Sequence, residues 1–142
     1  MKKTIARELE ESGLIVQTTV GQSMEPLLYE RKTLVEIRKV DDDLKGRDMV
    51  LFLRENGEYV LHRILKVRQN DYWICGDNQT VAETVPKSRV IGVVRRYYRK
   101  NRWHAVSDFG YRCYVWVWSM LFPVRKYLLA VRNLWKFCIG RR

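Results

Sequence analysis

A serine two residues after a glycine, followed by Met-Glu-Pro, stands in Thr19–Leu28, "TVGQSMEPLL". Ser23 in that setting has two readings. As an N-cap it would open a helix with Pro26 in the first turn. As a nucleophile it would attack a carbonyl carbon, with its own backbone N–H helping to hold the oxyanion. A serine hydroxyl needs a proton acceptor within hydrogen-bond reach, so the second reading requires a base elsewhere. The segment "YVLHRI" supplies His62, with Arg63 pointing to the opposite face of the same apolar strand. Imidazole titrates near pH 6.5 and accepts protons at neutral pH without special burial, whereas a lysine would have to be desolvated. Its second nitrogen must then be held, usually by a carboxylate. "WICGDNQTVAE" offers Asp77 and Glu83. Asp77 also fits a plain turn, because Asp and Asn bond their own downstream backbone. Arg63, set in an apolar strand, requires a carboxylate or several carbonyls.

The order of these segments carries more than any one of them. "GQSMEP", "GRDMVLF", "YVLHRI", "CGDN" and "VIGVV" follow one another between Val16 and Val94, over half the chain. The set resembles the signal peptidase I-like serine peptidase superfamily, which also contains the self-cleaving repressors related to LexA. That resemblance implies a Ser23 nucleophile and a general base at His62, the pattern of the histidine-type branch. It places Gly21, Gln22 and Met24 around the substrate carbonyl, and an acidic partner for His62 at Glu83 in preference to Asp77. Asp77 would then fix the turn and pair with Arg63. The chain departs from the family in lacking an N-terminal anchor and the large extra domain of many members. It has Gly21 where many have a second serine, and Glu83 in place of an aspartate. The implied activity is endopeptidase cleavage of an extended leader or signal-like segment, bound by strand addition beside Leu14–Val20. No cofactor or metal is implied, and the three cysteines show no ligand spacing. They suit buried thiols in a reducing compartment.

Positioning these residues requires a mainly β fold. Leu14–Val20, Thr33–Arg38, Asp48–Arg54, Glu58–Val67, Asp71–Cys75 and Arg89–Tyr98 read as strands, separated by turn signals such as "DDDLKGRD", "RQND", "GDNQ" and "VPKS". Asn56-Gly57 should close a hairpin between the third and fourth of these. Several strands are apolar on both faces, which predicts a small coiled β-barrel or sandwich as the peptidase core. "MKKTIARELEESG" has no apolar signal region and reads as a short helix over residues 1–13, with Ile5 and Leu9 inward and Gly13 as its stop. The catalytic β domain is expected over 14–106, and a basic, aromatic helical tail over 107–142.

The net charge of +11 is not spread evenly: residues 1–94 hold 15 Lys/Arg and 15 Asp/Glu, and residues 95–142 hold 12 Lys/Arg against Asp108 alone. That C-terminal segment also carries 12 of the 17 aromatic residues. "CYVWVWSMLF" is uncharged, but ten helical residues reach only about 15 Å, half of a hydrocarbon core. Beyond Pro123, a helical wheel groups Arg125, Lys126, Arg132, Asn133 and Lys136 on one side, with Trp135 and other apolar residues on the rest. This predicts an amphipathic helix lying in an anionic membrane interface, its cations toward the headgroups. The expected location is cytoplasmic, peripheral on the cytoplasmic face, and a chain cut near Arg112 should still cleave soluble peptide. With His62 as base, the acid limb of the rate should fall around pH 6–7 and be moved upward by Glu83. Lys66 is the rival base nearby. The alternative is a non-enzymatic basic module for membranes or nucleic acid, suggested by "VVRRYYRKNRWH"; no specific nucleic acid is expected for the peptidase.

Overall fold

The structure is a computed structural model that describes residues 4–140. The first helix, α1 (Ile5–Ser12), starts at Thr4, whose hydroxyl accepts the Arg7 N–H, and stops at Gly13 in the left-handed region with φ 73°. Eight strands follow among the described residues: β1 (Leu14–Thr18), β2 (Leu34–Lys39), β3 (Met49–Leu53), β4 (Tyr59–Val67), β5 (Asp71–Cys75), β6 (Glu83–Pro86), β7 (Val90–Arg99) and β8 (Arg102–Ala105). The tail forms α2 (Phe109–Met120), a short 3-10 turn at Phe122–Val124, and α3 (Arg125–Ile139).

All pairings are antiparallel, in the order β1-β2-β7-β3-β4-β5-β6, with β8 added to β7. The protein is therefore mainly β, as the strand pattern predicts, with a short N-terminal helix and a helical C-terminal tail. The sheet is not closed into a barrel: β1 and β6 are its ends and do not pair with each other. It is nevertheless covered on both faces. Leu9, Met24, Leu28, Ile37, Met49 and Leu51 belong to one core; Val50, Phe52, Ile64, Ile74 and Val93 belong to the other. That is why neighbouring residues of β3 are apolar without alternation.

Two strands were not legible. β6 is four residues long and ends on Pro86, so it reads as a turn. β8 is joined to β7 through Lys100-Asn101, both with positive φ (52° and 62°), a tight hairpin without its usual glycine. The β3–β4 hairpin does form; its loop is closed by Arg54 N–H on the Glu58 carbonyl (2.9 Å), with Gly57 at φ 83°. Gly92 permits α1 to seat on the sheet: a Cβ there would lie 2.5 Å from Ile37 Cγ2 and 3.0 Å from Leu9 Cδ2.

Candidate active site

Register sets the first half of the site. Ile64 of β4 stands opposite Ile74 of β5, which stands opposite Glu83 of β6. His62 lies two residues before Ile64, on the same face, and so comes beside Glu83. Its Nδ1 is 3.4 Å from Glu83 Oε1. The imidazole is buried (2% exposed) and meets the Phe52 ring edge-on, with centroids 5.9 Å apart. At 3.4 Å the alignment is not that of a hydrogen bond, and Nδ1 has no bonded partner among the described residues. Glu83 is meanwhile held by Arg54, whose Nη2 and Nε donate to its two oxygens at 2.7 and 3.3 Å. Arg54 was not anticipated; a cation at a strand end gives no signal of which carboxylate it will meet.

The electrostatic outcome corrects the expected pH dependence. Burial pushes the His62 imidazole down to about 4, against the pull of Glu83 and Asp77, and the Arg54 charge acts in the same direction as burial. The sequence expectation took Glu83 to be the dominant influence; desolvation outweighs it. Lys66, the rival base, is exposed past a bulge in β4.

The opposite face of β4 carries a second, fully buried system. Arg63, paired in register with Cys75, grips Asp77 by two parallel bonds, Nε–Oδ1 and Nη2–Oδ2, both 2.8 Å. Its Nη1 donates to the Arg47 carbonyl and the Tyr111 hydroxyl. Tyr114 donates to Asp77 Oδ2 (3.0 Å), and Trp118 Nε1 to the Asp77 carbonyl (2.9 Å). Asp77 thus ties the Gly76–Asn78 turn both to β4 and to α2.

Ser23 lies on the loop between β1 and β2 and is fixed to that same turn. The Asn78 N–H donates to the Ser23 carbonyl (2.8 Å), and the Asn78 side chain donates to the Gln22 carbonyl (2.9 Å). The approach is close: a Cβ at Gly76 would sit 2.6 Å from the Ser23 carbonyl oxygen. Gly21 turns the chain with φ 81° in open space, so its conformation rather than its size calls for glycine. Ser23 begins no helix, and its loop is a run of turns, so the N-cap reading has no helix to serve. The N–H groups of Ser23 and Met24 have no acceptor among the described residues. Met24 is buried in the core and anchors the loop. Beside Ser23 a cavity of about 140 Å³ is lined by Ile5, Gln17, Thr18, Leu51 and Leu61 among others. No hydrogen bond joins Ser23 to His62 among the described residues; the structure brings His62 to Glu83 and Ser23 to Asn78, five residues before Glu83.

The tail departs most from expectation. Arg125 does not face a membrane: it is 1% exposed, donates to the Trp118 carbonyl (2.9 Å), and lies 5.0 Å from the ring centres of both Trp118 and Phe122. Its other bonds reach toward the carbonyls of Gly76 and Gln79. Arg132 donates to Asn78 Oδ1, and Lys136 Nζ is 3.2 Å from Glu25 Oε2. The seam Arg125, Leu129, Arg132, Lys136 is thus the inner one, packed on the loops that carry Ser23 and Asp77. Lys126 is exposed over the Tyr127 ring, and Trp135 is exposed. Because α2 and α3 hold Asp77, Gly76 and Asn78, the tail is part of the site, and cutting near Arg112 would remove Tyr114, Trp118 and Arg125 from it. None of the helices is long and apolar enough to cross a membrane among the described residues.

Two cations of "VVRRYYRKNRWH" are also used within the fold. Arg96 donates to Glu36 (Nε–Oε2 2.8 Å), and Arg99 donates to the Pro26 and Leu27 carbonyls while lying over Tyr29. Compared with known proteins, the chain matches no family model and no curated protein.

Proposed function

We propose that the protein is a serine endopeptidase of the signal peptidase-like, histidine-type branch. The observation that carries this reading is that one short segment, from the Gly76–Asn78 turn to Glu83, touches both halves of the pair. Ser23 is bonded to the Gly76–Asn78 turn, and the strand after that turn begins with Glu83, the carboxylate beside the buried His62. His62 takes the Ser23 hydroxyl proton as Oγ attacks the peptide carbonyl carbon. The unbonded N–H groups of Ser23 and Met24 hold the oxygen that becomes negative. The proton then passes from His62 to the leaving amine, and water, deprotonated by the same imidazole, releases the acyl group. Glu83 supports the imidazolium that forms at each step. Ser23 borders Leu51 and Leu61, on the face of the sheet that Arg63 shares, whereas His62 packs against Phe52 on the other. This reading therefore requires the two side chains to be brought together when substrate binds.

The substrate is an extended leader or signal-like segment of a precursor peptide, processed on the cytoplasmic side. Its support is the outer edge of β1, which pairs with β2 alone among the described residues, next to the cavity at Ser23. A segment adding to that edge would pass the cavity with alternate side chains directed into it.

The test is covalent labelling with a serine-reactive fluorophosphonate, followed by peptide-library cleavage read by mass spectrometry. A single adduct on Ser23 and cleavage of extended peptides are expected. Ser23→Ala should lose both, with a melting temperature within a few degrees of the parent protein, since a half-buried hydroxyl contributes only about 1 kcal/mol. Cleavage by Ser23→Ala equal to that of the parent would end the assignment.

A further inference from the structure

An amphipathic helix on a protein normally turns its apolar side inward. α3 does the reverse. Its inner seam is Arg125, Leu129, Arg132 and Lys136, bonded to the catalytic loops as described. Its outer side carries Tyr127, Leu128, Val131, Leu134 and Trp135, with Leu134 65% and Trp135 68% exposed. At 100° per residue these five, with Cys138, fill a sector of about 120° that contains no charge. α2 repeats the arrangement. It buries Tyr111 and Val115 and exposes Phe109, Cys113, Trp116, Val117 and Met120, a seam with i, i+4, i+7, i+8, i+11 spacing. Two consecutive helices thus each show water an uncharged apolar seam carrying a tryptophan, rather than the single scattered apolar residues normal for a free surface.

Charge decides the occupant. After Asp108 the sequence holds no Asp or Glu, and of its Lys/Arg the inner seam uses Arg125, Arg132 and Lys136. Arg112 flanks the outer seam of α2 and Lys126 that of α3, both exposed. Between α2 and the loop before β3 runs an apolar groove of about 700 Å³, lined by Phe109, Trp116 and Val117 and rimmed by Lys45, Arg47 and Arg112, with Asp48 as its one acid. Apolar surface bordered by cations matches acyl chains beneath anionic headgroups. We infer that the outer faces of α2 and α3 dock on an anionic phospholipid bilayer, lying in the interface. The orientation is opposite to that expected from the wheel: the basic seam of α3 clamps the Ser23 and Asp77 loops, and the apolar side meets lipid. The inference stands independently of the peptidase chemistry, although it would hold the catalytic loops at the lipid surface.

The experiment is sedimentation of the full chain with vesicles of phosphatidylcholine, with and without phosphatidylglycerol, at low and high salt. Tryptophan fluorescence would be read in parallel, together with sedimentation velocity without lipid. Binding to the phosphatidylglycerol vesicles, weakened by salt and accompanied by a blue shift, is expected. The double substitution V131D/W135D should weaken it by more than about tenfold while leaving the melting temperature unchanged, because both side chains are outside the core. A separate Trp116→Asp should weaken it too. Absence of binding at low salt would overturn the inference, as would undiminished binding of the V131D/W135D chain. A dimer in lipid-free solution that V131D/W135D abolishes would also overturn it, assigning the surface to a second copy of the chain.

Discussion

The pH behaviour of His62 gives the most direct check on the site, because it can be read without knowing the substrate. In the unfolded chain the imidazole titrates near 6.5; in the fold, burial holds it down to about 4. Between those values the unfolded state binds a proton that the folded state does not. Stability is therefore full above about pH 6.5, declines as pH falls toward 4, and levels off below it. The gap corresponds to about 3 kcal/mol at its limit and about 2–3 kcal/mol at pH 4.5. For a domain of this size that is on the order of 5–10 °C in melting temperature. Other groups also respond to acid, so the measurement is a difference: the fall in melting temperature from pH 7 to pH 4.5 should be smaller in His62→Gln by that amount. NMR of labelled imidazole should show a resonance with a midpoint near pH 4, absent from His62→Gln. Neighbouring charges give opposite signs. Glu83→Gln should lower the midpoint further, and Arg54→Gln should raise it. For the proposed peptidase, kcat/KM at pH 5.5 should remain near its plateau, where a base of pKa 6.5 would retain only about a tenth. A His62 midpoint at pH 6 or above, or a midpoint raised by Glu83→Gln, would refute the view that desolvation dominates.

Two further outcomes follow from contacts around the turn. Gly76→Ala places a methyl 2.6 Å from the Ser23 carbonyl oxygen, so the loop must move. Thermal denaturation should show a loss of about 1–3 kcal/mol, and labelling of Ser23 should fall much more than stability does. Arg63→Met leaves the carboxylate of Asp77 buried and without its main partner, which should cost about 3–5 kcal/mol in urea denaturation.

Much of the β framework could be read from the chain because its signals are local. Apolar runs over Asp48–Arg54 and Glu58–Val67, with a glycine turn between them, specify two paired strands in almost any context. The candidate residues Ser23, His62, Asp77 and Glu83 were legible as types in an order. Their burial was not, and burial is what moves His62 to about 4, since desolvation depends on every element packed around the ring. Arg54 joined the site only through register, which sets Glu83 opposite Ile74 at the sheet's end. β8 has no local signal, because Lys100-Asn101 adopts a turn that is usually marked by glycine.

The tail separates the two kinds of information most sharply. Amino-acid order alone determined that the stretch from Val124 to Cys138 forms an amphipathic helix with a basic and an apolar side, because periodicity is a property of the chain. Which side faces inward was decided only by what the fold presents to it. Carbonyls at Gly76 and Gln79, the Asn78 amide oxygen and the Glu25 carboxylate are all acceptors, and they take donors from Arg125, Arg132 and Lys136, while Nε of both arginines stays without a bonded partner among the described residues. A helix packed on acceptors turns its donors toward them, leaving its apolar side for whatever lies outside.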